Sequence, residues 1–124
     1  MQFQKQETNK MPQPGYSLSE CRTSRRHVLF AAGVAAAAGT VLGVKAEGNI
    51  YWPLTPEASD GTQTPSAILF DEVAPTLSPR VVTVSINIVA NRAALIWPPG
   101  VTAEQISTFE TQLASVANIA VRDA

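Results

Sequence analysis

A run of seventeen uncharged residues, Val28–Val44, limits the fold of this chain more than any other feature. Six of these residues are Ala and three are Gly, and the run directly follows Arg25, Arg26 and His27. As an α-helix it would be about 26 Å long, slightly shorter than the ~30 Å hydrocarbon core of a bilayer. The run therefore predicts a helix that acts as an export signal or as a membrane anchor. A buried Ala-rich helix of a cytosolic protein is the third interpretation.

The residues around the two arginines indicate the kind of signal. The sequence has a hydroxyl residue, two arginines, one further residue and then two apolar residues that begin the weakly apolar run, at Ser24, Arg25, Arg26, Val28 and Leu29. The run leads to Ala46, where small and branched side chains suit a cleavage site. This order resembles a twin-arginine (Tat) signal peptide. The resemblance covers residues 24–46 and implies export of a folded protein by the twin-arginine translocase, into the periplasm.

The distribution of charge divides the chain at the same place. Residues 1–46 carry six basic and two acidic side chains, whereas residues 47–124 carry three basic and eight acidic ones. We therefore predict a signal over residues 1–46, with a polar n-region over 1–24, and 78 residues beyond it. An uncleaved leader would instead hold the rest of the chain on the periplasmic side of the cytoplasmic membrane.

Composition excludes several functions for residues 47–124. The only Cys and the only His of the chain are Cys21 and His27, so this part has no disulfide, no thiol nucleophile and no imidazole. No metal site and no cofactor are expected. An acidic domain with three scattered arginines also lacks the basic surface that nucleic-acid binding requires.

Local patterns predict a small domain after a Pro/Gly-rich arm. The arm covers residues 47–66, with at most a short strand at 49–52. Strand-like runs follow at 66–73 and 80–89, and residues 93–97 could form the return strand of a hairpin. In 80–89 the apolar side chains alternate with polar ones, which is typical of a half-buried strand, at Val82, Val84, Ile86 and Ile88.

The C-terminal residues carry the pattern of an amphipathic helix. Thr102 and Gln105 have the spacing of a capping box. Apolar residues then recur every three or four positions up to about residue 121, at Ile106, Phe109, Leu113, Val116 and Ala120. The predicted fold over residues 67–124 is therefore α+β: an antiparallel sheet of two or three strands covered by one helix, preceded by the arm and the signal or anchor helix.

Carboxylates are the remaining candidates for chemistry. Asp71 and Glu72 are adjacent on a predicted strand and so would face opposite sides, which does not suit general acid–base catalysis. Glu57 and Asp60 do not have the spacing of a calcium loop. We therefore expect no enzyme activity, unless folding pairs Asp71 or Glu72 with another carboxylate.

Two aromatic–proline pairs form the remaining surface candidate. Tyr51 and Trp52 precede Pro53, and Trp97 precedes two prolines. These aromatic residues either cover a small core or form a partner-docking patch, since Trp is enriched at binding hot spots. The sequence thus favours a non-catalytic, exported small subunit or accessory protein of a periplasmic complex, with a redox complex as one candidate and a larger protein as partner. The alternative is a stand-alone periplasmic or membrane-anchored binding module.

Overall fold

A computed structural model describes residues 17–19 and 24–123. The predicted n-region therefore lies outside the described residues, except for Ser17–Ser19 and Ser24. The strands are β1 Ser17–Ser19, β2 Arg25–Phe30, β3 Val41–Val44, β4 Ile50–Pro53, β5 Ala67–Leu69, β6 Arg80–Ser85, β7 Val89–Asn91 and β8 Ala120–Arg122. A 3₁₀ turn covers Arg92–Ala94, and helix α1 covers Ala103–Val116.

Five strands form a closed barrel in the order β2-β4-β3-β5-β6. The longest pairing joins β2 to β6 antiparallel, with Val28 opposite Val82. On its other edge β2 pairs parallel with β4, where Leu29 lies opposite Ile50. Because β2 is paired on both edges, it closes the barrel. Strands β3 and β4 form an antiparallel hairpin, and β5 joins β3 to β6.

The three remaining strands form a second sheet in the order β1-β7-β8. Strand β7 pairs parallel with β8, and α1 lies between them in the chain. The helix contributes Phe109 and Leu113 to the core, and both are buried. These side chains belong to the same buried cluster as the barrel residues, so barrel, sheet and helix share one core.

The predicted leader helix is absent from the described fold, and that prediction is wrong. Residues 25–44 instead form β2, a connecting segment and β3. Gly33 has a φ of 73°, which a helix does not accommodate. Ala36 makes an antiparallel bridge to Val73 across the connection. The Ala/Gly-rich composition predicts a signal helix, whereas in the structure the glycines allow a turn at Gly33 and close backbone packing at Gly43.

The predicted sheet is also wrong in size and in type. The described residues form a five-stranded mixed barrel and a second three-stranded sheet, where two or three antiparallel strands were expected. Parallel pairs such as β2–β4 join residues distant in sequence, so no local pattern indicates them. The predicted arm contributes to the folded domain: it contains the barrel strand β4, and its Leu54 and Thr62 are buried.

Several local predictions are confirmed. Val82, Val84, Ile86 and Ile88 are all buried, although β6 ends at Ser85. The alternation of buried apolar residues continues beyond the end of β6, across Asn87, whose backbone has a φ of 52° and is not extended. A capping box at Thr102 and Gln105 starts α1 as predicted.

The end of the helix differs from the prediction. Helix α1 stops at Val116, and residues 120–122 form β8 instead of a last helical turn. Asn118 has a φ of 54°, which turns the backbone out of the helix. Ile119 is then fully buried, and the amide of Ala120 donates to the carbonyl of Ile88 at 3.0 Å.

The described part of the chain contains no helix with both the length and the apolarity needed to span a bilayer.

Candidate docking surface

An open apolar groove of about 330 Å³ lies between the connection after β2 and the segment before α1. We call it the Trp97 groove. One wall is Ala35–Ala37, and the other is formed by Ile96, Trp97, Pro98 and Pro99. Thr40, Val41, Pro53 and Leu54 complete the lining, so no charged side chain contributes to it.

Backbone hydrogen bonds hold the two walls in place. The amide of Ile96 donates to the carbonyl of Gly39 at 2.9 Å, and the amide of Val41 donates to the carbonyl of Ile96 at 3.1 Å. On the other wall, Ala36 and Val73 exchange both of their backbone hydrogen bonds, at 3.0 and 2.8 Å. The groove is therefore a preformed feature of the fold.

Trp97 is the central aromatic residue of this region. Its ring stacks on Phe109 with a centroid distance of 5.9 Å and an interplanar angle of 18°. Trp97 also lines a second hollow of about 440 Å³, together with Ile106, Arg92 and Glu110. The indole is thus fixed by the helix on one side and partly exposed on the other, as is common for aromatic binding residues.

Arg92 is committed to an ion-pair cluster beside the second hollow. Its Nε donates to Glu110 Oε2 at 2.8 Å, and its Nη1 donates to Asp123 Oδ1 at 2.7 Å. Hydrogen bonds to Glu110 and then to Asp123 raise the pKa of Arg92 above its ordinary value. The guanidinium therefore joins the 3₁₀ turn, α1 and the residues after β8, and we assign it a structural role.

A second apolar surface lies at one end of the barrel. Leu29 and Val81 are cross-strand neighbours on β2 and β6, and they are 42% and 63% exposed. Leu77, in the loop before β6, is fully exposed. The carbonyl of Thr76 accepts from the amide of Gly33 at 2.8 Å, which holds this loop near the end of β2. We call Leu29, Leu77 and Val81 the Leu77 patch.

The residues predicted to form an export signal are distributed through the barrel. Ser24 is buried, and its hydroxyl donates to the carbonyl of Asn87 at 3.1 Å. The guanidinium of Arg25 lies 4.1 Å from the ring centroid of Phe70. Arg26 is exposed, Val28 packs against the core, and Ala46 lies in the turn between β3 and β4.

The three residues predicted as a partner patch do not share one surface. Trp97 lines the groove together with Pro53, the residue that follows Trp52. Tyr51 instead packs against the core. Trp52 points away from Pro53 by strand alternation, and its ring lies 4.2 Å from Lys45 Nζ.

Sequence reasoning missed the Leu77 patch, although one signal was present. In the alternating pattern of residues 80–89, Val81 lies on the same face of the strand as the polar residue Thr83. An apolar residue at that phase is exposed if the strand is half buried. Leu77 stands between Thr76 and Ser78, and nothing in that local sequence predicts its full exposure.

The described carboxylates show no arrangement typical of catalysis. Asp71 and Glu72 are both exposed after β5. Asp60 Oδ1 accepts from the hydroxyl of Thr62 at 2.6 Å and from its amide at 3.1 Å, which lowers the pKa of Asp60. Among the described residues, no three His, Cys, Asp or Glu side chains are grouped to hold a metal ion.

Comparison with known proteins assigns the chain to a family. The model of the family described as bacteriophage lambda head decoration protein D matches residues 5–119 of the 124. No curated protein matches the chain significantly.

This match overturns the function predicted from the sequence. A small subunit of a periplasmic or redox complex, a periplasmic binding module, and partnership with the twin-arginine translocase or a larger periplasmic subunit are all wrong. The predicted location in the periplasm or cytoplasmic membrane is wrong as well. The physical cause is the arginine pair, which begins a barrel strand and is followed by an Ala/Gly-rich connection of similar composition to a signal. This chain belongs to the family of bacteriophage lambda head decoration protein D.

Proposed function

We propose that this protein decorates a phage head, binding to its shell as a structural component and catalysing no reaction. The observation that carries the proposal is the family match, which extends over nearly the whole chain and includes every strand of the barrel. The exposed apolar side chains agree with a protein whose role is to bind another protein surface.

The Leu77 patch is the surface we propose for contact with the shell. Its three side chains are large, apolar and exposed at one end of the barrel. Clustered exposed apolar residues mark interaction sites, and a few such side chains commonly supply most of the binding energy. Leu77 occupies the most accessible position, since its side chain is fully exposed.

Co-sedimentation tests the proposed function. Purified protein would be mixed with capsids assembled from the major head protein encoded in the same genome, and the pellet would be analysed for both chains. We expect saturable binding at a fixed ratio of this protein to the major head protein. A chain that stays in the supernatant at all concentrations, and is absent from purified particles, would contradict the proposal.

A further inference from the structure

The open backbone edges of the described strands lie in the second sheet. The five barrel strands close on one another, so each of them is paired on both sides. In the second sheet, whose order is β1-β7-β8, strand β8 pairs on one side only among the described strands. An edge strand of this kind presents amide and carbonyl groups that a strand of another chain can bind. The outer edge of β8 is therefore a place where two copies of the chain could pair, unless the fold blocks it.

Val121 is the residue of β8 whose backbone faces the open edge. The amide of Ala120 donates to the carbonyl of Ile88 at 3.0 Å, so the backbone groups of Ala120 are directed towards β7. Successive residues of a strand direct their backbone groups to opposite sides. The amide and carbonyl of Val121, the middle residue of β8, therefore point away from β7.

Arg92 occupies this edge. Its Nη2 donates to the carbonyl of Val121 at 3.4 Å. The same guanidinium donates to Glu110 through Nε and Nη2, at 2.8 and 3.2 Å, and to Asp123 through Nη1 at 2.7 Å. The bond to Val121 is the longest of the four, so the two carboxylates supply most of the attraction that holds the guanidinium against the edge. We call Arg92, Glu110 and Asp123 the Arg92 clamp.

A strand that paired with Val121 would have to displace the guanidinium. The side chain of Glu110 is only 17% exposed, so removal of Arg92 leaves a poorly solvated carboxylate without its cation. In return the incoming strand gains few hydrogen bonds, because a three-residue strand directs a single full set of backbone groups outwards. Charged side chains are a common means of protecting an edge strand from such pairing.

We propose that the Arg92 clamp closes the outer edge of β8 and prevents a second copy of this chain from adding a strand there. The clamp thus has a role in keeping copies of the protein apart, in addition to joining the 3₁₀ turn, α1 and the residues after β8. This inference does not depend on the proposed attachment to a phage head.

Sedimentation velocity at increasing protein concentration tests the proposal. We expect Arg92→Ala to form larger species as its concentration rises, over a range in which the unmodified protein does not. Arg80→Ala is the control, because it removes the same charge at the start of the barrel strand β6 and should behave as the unmodified protein does. If Arg92→Ala sediments like the unmodified protein at every concentration, the proposal is overturned.

A second substitution separates edge pairing from association caused by unfolding. Val121→Pro removes the amide that a new strand would need, and proline is tolerated where the amide of an edge strand faces outwards. We therefore expect Arg92→Ala with Val121→Pro to return to the sedimentation behaviour of the unmodified protein. Larger species that persist in the double variant would overturn the proposal.

Hydrogen exchange measured by mass spectrometry locates the contact in the Arg92→Ala variant itself. We expect the peptide that covers residues 119–124 to exchange more slowly in the associated variant than in the unmodified protein, because the Val121 amide is then hydrogen-bonded to the second copy. Association through an unfolded chain would instead speed exchange in this peptide. Equal or faster exchange there would contradict edge pairing, even if the double variant fails to fold.

Discussion

At the scale of single residues, this fold depends on positions where two backbone segments approach too closely for a side chain. Gly43 on β3 is the clearest example, since a Cβ added there would lie 2.6 Å from the carbonyl oxygen of Thr62 and 2.7 Å from its Cα. Backbone atoms cannot rotate away as a side-chain tip can. Gly43 of the Ala/Gly-rich run therefore allows close packing, whereas composition alone indicates a signal.

Replacing Gly43 should destabilise the fold, because a Cβ at this position would collide with the backbone of Thr62. We expect Gly43→Ala to lower the free energy of unfolding by about 3 kcal/mol, measured by urea denaturation. Gly33→Ala is the matched control: Gly33 has a positive φ but open space around its Cβ position. It should cost about 1 kcal/mol. Equal losses in the two variants would show that the approach of Thr62 does not limit Gly43.

Asp60 should make stability depend on acid pH. Hydrogen bonds from the Thr62 hydroxyl and amide lower the pKa of Asp60 below its ordinary 3.8. A depressed native pKa stabilises the fold above the unfolded pKa of about 3.9, and this stabilisation is lost as the pH falls through the native pKa. We expect Asp60→Asn to lose less stability than the unmodified protein between about pH 5 and pH 2.5, measured by urea denaturation.

The neighbouring Glu57→Gln serves as the control for Asp60. Glu57 is exposed and accepts no hydrogen bond in the described part of the chain. This variant should lose as much stability on acidification as the unmodified protein. The explanation fails if Asp60→Asn also keeps the full acid sensitivity.

At the scale of elements, helix α1 is the one whose boundaries depend most on local signals. The Thr102 hydroxyl accepts from the amide of Gln105 at 3.2 Å, and Gln105 Oε1 accepts from the amide of Thr102 at 2.8 Å. Both hydrogen bonds lie at the N-terminus of α1, where the first backbone amides have no acceptors within the helix. The helix is further attached by Arg92, which contacts Glu110 from the 3₁₀ turn.

Loss of the cap should weaken the protein more than an equivalent change inside the helix. We expect Thr102→Ala to lower the free energy of unfolding by about 1 kcal/mol. Thr108→Ala removes a hydroxyl that only donates to the helical carbonyl of Glu104, and we expect it to be neutral or stabilising by about 0.5 kcal/mol. Urea denaturation followed by circular dichroism measures both. A cost for Thr108→Ala as large as that for Thr102→Ala would refute the role of the cap.

The elements show which parts of the fold the sequence could predict. The capping box and the alternation of Val82 and Val84 depend on neighbouring residues, and both were predicted correctly. Closure of the barrel depends on β2 pairing with β4 and β6, far along the chain. No local period encodes those pairings, so the composition of the Ala/Gly-rich connection predicts a helix that does not form.

The Trp97 groove also has one part that the sequence indicates and one part that it does not. The sequence leaves open whether Trp97 covers the core or belongs to a docking patch; in the structure its ring stacks on Phe109 and it lines the groove. The opposite wall, Ala35–Ala37, could not be predicted, because it is brought there by the bridge between Ala36 and Val73. Small alanines carry no binding signal of their own in a sequence.

At the scale of the whole molecule, two apolar surfaces lie on one shared core. The Trp97 groove lies beside α1, and the Leu77 patch lies at the end of the β2–β6 pair. The three side chains of the Leu77 patch are exposed, so changes there leave the core closed, whereas the groove is lined partly by the core residues Val41 and Leu54. The Leu77 patch can therefore be tested by substitution without disturbing the core.

Polar substitution in the Leu77 patch should weaken capsid binding without unfolding the protein. We expect Val81→Ser to weaken binding roughly tenfold, which corresponds to about 1.4 kcal/mol. Val116→Ser is the matched control, because Val116 on α1 is 56% exposed against 63% for Val81. Co-sedimentation with capsids measures both, and thermal melting checks that each variant is folded. Equal binding by the two variants would exclude the patch as the contact surface.

Closure of the barrel by β2 also has a consequence for how the chain is made. Strand β2 leaves the ribosome early, but its antiparallel partner β6 ends at Ser85, which pairs with Arg25. At about 5–20 residues per second, β2 waits roughly 3–10 seconds for that partner to be synthesised. During that time Val28 and Phe30 lack the strand that covers them in the finished barrel. Nascent chains stalled before residue 80 should therefore bind cellular chaperones, and this binding should fall once Ser85 has been released and end only when α1 has joined the shared core.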